Sequence, residues 1–147
     1  MSSGIAGGAA TVGCCCQMIG FAVISYRDNK TQGLFAQGIG TSMLQMPNII
    51  KNPMIWIPPC LASIILGPIS TVVLKLENTP LGSGMGTSGL VGQIGTFEAM
   101  AGIEPFSATL FKVILIQIIL PAFLSFIIYS FMRNRGFIKD GDMKLDM

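Results

Sequence analysis

Polar side chains able to hold a solute fall in two clusters of an otherwise apolar chain. Thr41, Ser42, Gln45 and Asn48 form the first, and Thr87, Ser88, Gln93 and Thr96 form the second, with the carboxylates of Glu98 and Glu104 just beyond. Hydroxyls and primary amides donate and accept hydrogen bonds without charge, which suits a neutral polyhydroxylated ligand such as a sugar. A carboxylate beside a sugar hydroxyl can bind it or take its proton during group transfer. The two clusters share an order of residues: Gly38-Ile39-Gly40-Thr41-Ser42-Met43-Leu44 is matched by Gly84-Met85-Gly86-Thr87-Ser88-Gly89-Leu90. Glycines at this density break a helix, and a break leaves main-chain N–H groups on one side and C=O groups on the other to meet a polar ligand. The Thr and Ser hydroxyls are equally suited to capping the half-helices. Solute binding is the role assigned to these residues; no side chain is assigned to catalysis.

The elements that must position them belong to a membrane. The chain has 147 residues, of which 51% are apolar and 11% charged, with a mean hydropathy of +0.67; soluble domains carry about 25% charged residues. About 20 apolar residues cross the hydrocarbon core. Residues 5–26, 54–74 and 109–132 meet that requirement, whereas 31–52 and 79–105 are apolar but interrupted by glycine and proline. The expected fold is an all-α integral membrane protein with about three transmembrane helices and two glycine-rich re-entrant or broken-helix segments. Residues 133–147 form a charged tail, expected to be cytoplasmic, solvated and without fixed structure. Pro58, Pro59 and Pro68 predict kinks, Pro121 falls near the middle of the last span, Trp56 suits an interface, and Lys112 is close enough to the start of the last span to snorkel. Small residues at Ala9, Gly13, Cys16 and Gly20 share one face of the first span and allow close helix packing. Gln17, in the same span, faces either a cavity or another helix.

A cytoplasmic tail and three crossings place Arg27, Lys30, Lys51, Arg133, Arg135, Lys139 and Lys144 inside and leave Lys75 and Lys112 outside, which satisfies the positive-inside rule. Each interrupted segment must then return to the side it entered from, one from each face. The copies form an inverted repeat, an arrangement secondary transporters use to build a site near the midplane. The net charge of +2 is too small and scattered for nucleic acid. Cys14, Cys15 and Cys16 point about 100° apart on a helix and cannot converge on one metal; the chain has no histidine, and neither metal nor cofactor is expected.

The run from Gln37 through Gly-Ile-Gly-Thr-Ser-Met-Leu-Gln-Met-Pro-Asn-Ile-Ile-Lys-Asn to Pro53, the following Ile55-Trp56-Ile57-Pro58-Pro59, and Gly84 to Gln93 resemble the bacterial phosphotransferase-system enzyme IIC family of the perfringolysin-regulator type, in its C-terminal half. The resemblance implies a sugar permease subunit in the bacterial inner membrane, working with IIA and IIB subunits that supply the phosphoryl group. It also leaves room for a membrane sensor or regulator derived from such a permease without transport, or for a half-carrier that serves as a packing partner. Gly102-Ile103-Glu104-Pro105 is similar to the glutamate-proline motif of sugar-binding hairpins in other IIC permeases, with one residue fewer before the glutamate; this implies a sugar contact for Glu104. Three crossings and two hairpins enclose little volume, so association with an N-terminal half or with further copies of the chain is expected.

Overall fold

The first helix, α1 (Gly4–Ile24), takes the centre because small residues leave its surface shallow on more than one side. A Cβ at Gly8 would stand 1.9 Å from the Leu76 carbonyl oxygen, and one at Gly20 would stand 2.7 Å from Ser125 Oγ and 3.2 Å from Pro59 Cβ. Backbones that close require glycine. Of the small-residue face anticipated from the sequence, Cys16 and Gly20 pack inward, but a Cβ at Gly13 would meet nothing within 4 Å. The structure is a computed structural model and describes residues 4–146.

The chain continues through α2 (Tyr26–Phe35), a wide π-type turn at Ala36–Gly40, a 3₁₀ turn at Ser42–Gln45, α3 (Met46–Lys51) and a 3₁₀ turn at Pro53–Trp56. Then come α4 (Ile57–Pro68) with a π-type turn at Ile69–Val73, the short α5 (Pro80–Ser83), a 3₁₀ turn at Ser88–Leu90, and α6 (Val91–Met100). Last are α7 (Phe106–Val113), a π-type turn at Ile114–Ile119, and α8 (Leu120–Asn134). The fold is therefore helical, and no named strand occurs among the described residues. Three continuous helical stretches, Gly4–Ile24, Pro53–Val73 and Phe106–Asn134, are long and apolar enough to span a bilayer.

The prolines act differently from the expected kinks. Pro58 and Pro59 stand in the first turn of α4, where a missing N–H removes no helical bond. Pro68 and Pro121 adjoin π-type turns. In these widened turns Leu74 N donates to Ile69 O and Leu120 N to Leu115 O, an i to i−5 pattern.

Two apolar clusters hold the three long stretches together. Val12, Cys16, Ala62, Leu66, Leu76 and Ile116 form one; Phe21, Ile24, Ile55, Tyr129 and Met132 form the other, joined by Ile138 and Met143 from the tail. The outer surfaces of the second and third stretches expose Ile64, Val72, Phe111, Ile119, Phe123 and Phe131, as surfaces solvated by lipid do.

The tail departs from the expectation of a free solvated segment. Ile138 and Met143 are 2% and 1% exposed, a burial that stabilises by about 1.5–3 kcal/mol for each side chain. The main chain is held as well: Asp28 Oδ1 accepts from Gly141 N, and its Oδ2 from Met143 N. Asn29 donates to Met143 O and accepts from Leu145 N, and Asn52 Nδ2 donates to Phe137 O and Asp142 Oδ2. The alternating charges of the tail hid this, because the cradle recognises its main chain.

Lys112 also has partners within the protein. Its Nζ donates to Leu74 O at 3.0 Å and pairs with Glu104 Oε1 at 2.5 Å. The beginning and end of the segment between residues 74 and 104 are thereby tied to one ammonium group. Residues 28 and 52, which flank the first interrupted segment, are both tied to the tail.

Glycines of one helix are thus not equivalent. Gly8→Ala drives a Cβ into main chain that cannot rotate away and is expected to cost about 1–3 kcal/mol. Gly13→Ala meets open space and is expected to be neutral or to stabilise by up to about 1 kcal/mol through helix propensity. Denaturant or thermal unfolding in detergent micelles measures both; equal effects at the two positions would contradict this packing.

Candidate functional site

Each repeated motif folds as a break, by different local means. In the first, the π-type turn at Ala36–Gly40 ends on Thr41, whose backbone is extended (φ −156°, ψ 139°) and whose Oγ1 accepts from Met43 N at 3.1 Å. Thr41 thus restarts the helix as an N-cap. In the second, Thr79 Oγ1 accepts from Gly82 N at 3.2 Å to start α5. The chain then turns through Gly86, Gly89 and Leu90 at φ of 56°, 54° and 60° before α6 begins. Gly86 is constrained twice, by its positive φ and by the 2.7 Å that would separate its Cβ from that of Cys14.

The two breaks touch. Thr87 Oγ1 donates to Gly38 O, and both residues are buried. Beside this joint lies a cavity of about 310 Å³, within the range of about 300–1,000 Å³ usual for small-molecule sites. Gly40, Thr41, Ser42 and Met43 from the first break form one wall, Gly84, Met85 and Ser88 from the second form another, and Cys14, Gln17 and Met18 of α1 complete it. No carboxylate, ammonium or guanidinium group lines it. The hydroxyls of Ser42 and Ser88 have no hydrogen-bond partner among the described residues. Gln17 has both of its anticipated roles: it lines the cavity, accepts from Trp56 Nε1 at 3.0 Å and donates to Cys60 Sγ at 3.5 Å.

The other residues singled out in the sequence lie elsewhere. Gln45 Nε2 donates to Gln37 Oε1 at 2.9 Å and to Met143 O at 3.0 Å; Asn48 Nδ2 donates to Gln45 Oε1 at 3.0 Å and to Lys144 O at 2.9 Å. Both amides face the tail. Gln93 Nε2 points to Cys15 Sγ at 3.6 Å, and its Oε1 is buried without a partner among the described residues. Thr96 Oγ1 donates to Gly92 O at 2.8 Å and accepts from Gln117 Nε2 at 3.0 Å and Asn78 Nδ2 at 3.2 Å. Glu98 is exposed. Glu104 borders a separate cavity of about 250 Å³ with Phe97, Met100 and Phe106, the two rings stacked at 4.9 Å.

Sequence reasoning therefore brought Thr41, Ser42 and Ser88 to one cavity, with Thr87 at its joint, and missed Cys14, Gln37, Asn78 and Gln117. Gln117 carried a signal, as the one amide between Lys112 and Arg133 in a long apolar run. Asn78 carried less, because only the fold turns its amide toward Thr11, Gly92 and Thr96. Among the described residues no group of three or more His, Cys, Asp or Glu side chains is placed to hold a metal ion.

No curated protein and no solved structure matched the chain. The family model described as phosphotransferase system, EIIC, matches residues 1–145. With three apolar helices able to span a bilayer and that match over nearly its whole length, the chain belongs to the phosphotransferase system EIIC family of membrane permease subunits.

Proposed function

We propose that the cavity at the Thr87–Gly38 joint is where this subunit holds a small neutral polar solute, a sugar, for translocation and phosphorylation. The observation that carries the reading is the meeting of both Gly-Thr-Ser breaks at one uncharged cavity in which the hydroxyls of Ser42 and Ser88 have no partner among the described residues. A sugar hydroxyl both donates and accepts, so two unpaired protein hydroxyls and a nearby threonine complement it without an ion to desolvate.

In this reading the two interrupted segments are re-entrant and form an inverted repeat. Contacts at their ends support it: Lys112 gathers Leu74 and Glu104 at one end of the molecule, and the tail gathers Asp28 and Asn52. Both tips reach α1 near its middle, at Cys14 and Gln17. The distribution of basic residues places the tail on the cytoplasmic side of the bacterial cell membrane. Thr41, Ser42 and Ser88 contact the solute, Thr87 holds the breaks together, and Glu104 clamps the second segment. Gln45, Asn48, Gln93 and Thr96 serve as supports, and Glu98 lies outside the site. The phosphoryl group arrives from a IIB partner charged by IIA. An N-terminal half or a second copy closes the cavity where Met43 and Met85 lie open.

Two tests follow. Joint Ser42→Ala and Ser88→Ala substitution removes two hydrogen bonds worth about 0.5–1.5 kcal/mol each and is expected to weaken sugar binding about tenfold. Insertion and unfolding midpoint are expected to stay unchanged. Thr87→Val, which strips the joint of its donor, is expected to lower both affinity and thermal stability; unchanged stability would mean that the joint is not structural. In reconstituted vesicles, sugar uptake is expected to require phosphorylated IIB. Binding without uptake would instead identify a sensor derived from a permease.

A further inference from the structure

Buried hydrogen bonds connect the tail to Gln37, and the main chain runs on from Gln37 to the cavity wall. Met143 O accepts from Gln45 Nε2, which also donates to Gln37 Oε1. Gln37 Nε2 in turn donates to Ser25 Oγ at 2.7 Å and Gly33 O at 3.2 Å. Gln37 belongs to the π-type turn at Ala36–Gly40, whose Gly38 carbonyl accepts from Thr87. The next residues, Gly40 to Met43, are a wall of the cavity. Gln37 and Gln45 are each 0% exposed, and buried amides that lose a partner do not find water in its place.

The strap itself is held by hydrogen bonds to its main chain and by two core side chains, Ile138 and Met143. Apart from Ile138 and Met143, its residues from 136 to 146 are exposed or half-buried, and its main chain is gripped by Asp28, Asn29, Gln45, Asn48 and Asn52. Segments tied in this way open more readily than a core does.

We infer that Gln37 and Gln45 are positioning residues for the cavity, and that the segment 137–145 is a reversible strap that fixes the wall at Gly40–Met43 through them. With the strap seated, Gln45 is pinned between the tail and Gln37, and the π-type turn has one set of partners. With the strap lifted, Gln45 and Asn48 lose their acceptors on the tail, the turn is released, and the wall moves away from Cys14. A partner bound at this face could thereby alter solute affinity without touching the solute. The regulatory meaning rests on the sugar-site reading above, but the movement of the wall does not.

Cys14 lines the cavity and is half-buried, whereas Cys15 and Cys16 are 0% exposed. N-ethylmaleimide labelling in membranes, resolved by cysteine with mass spectrometry, reads the wall directly. The comparison is between the native chain, a chain ending at Arg135, and a full-length chain carrying Asp28→Ala and Asn29→Ala, with trypsin cleavage at Lys139 and Lys144 reporting release of the strap. Release is expected to speed Cys14 labelling about tenfold while Cys15 and Cys16 stay protected. A synthetic peptide of residues 136–147 is expected to restore slow labelling in the shortened chain. A freed strap with Cys14 labelling within about twofold of the native rate would overturn the inference. So would loss of protection at Cys15 and Cys16, or failure of both altered chains to fold, since the tail would then only hold the fold together. Lack of sugar binding by the native chain would sink the reading of the site and leave the labelling result standing.

Discussion

A main-chain carbonyl that leaves a helix within an apolar layer must be met by a donor, since no water is there to do it. The Gly38 carbonyl is buried in the protein, and Thr87 from the matching motif supplies the hydroxyl that meets it. This contact ties two breaks distant in sequence and sets their tips against the middle of α1. Close approach at Gly8 and Gly86 lets the surrounding backbone reach that depth.

The same constraint explains why the interior polar groups are neutral. Gln37, Gln45 and Asn48 form one network of amides, and Asn78, Thr96 and Gln117 another of amides and a hydroxyl; such groups cost far less to enclose than ions do. Glu104 and Lys112, a carboxylate–ammonium pair with both partners shielded, lie where the second interrupted segment ends, and the ammonium also engages the Leu74 carbonyl. Buried oxygens of Gln93 and Gln117 have no partner among the described residues.

Much of this was visible before any coordinates. The glycine-rich repeats announced themselves because a helix break is a local property of glycine and of the cap that follows it, and Thr41 behaves as such a cap. Thr41, Ser42 and Ser88 line one cavity because the two matched motifs that carry them meet. Gln45 and Asn48 have the same chemistry as those residues yet turn toward the tail, and nothing in their own neighbourhood distinguishes the two cases. The tail was misjudged for a related reason: its charged side chains advertised solvent, whereas Asp28 and Asn29 bind its main chain, which is the same in every sequence.

The sequence by itself determined that the chain is a helical membrane protein and where its helices break, because hydrophobic length and glycine content act through the nearest few residues. Tertiary structure alone decided which donors close the joint, which face the cavity and which hold the tail. A hydroxyl or an amide has no intrinsic destination; its partner is whichever buried acceptor the packing of distant segments brings within about 3 Å.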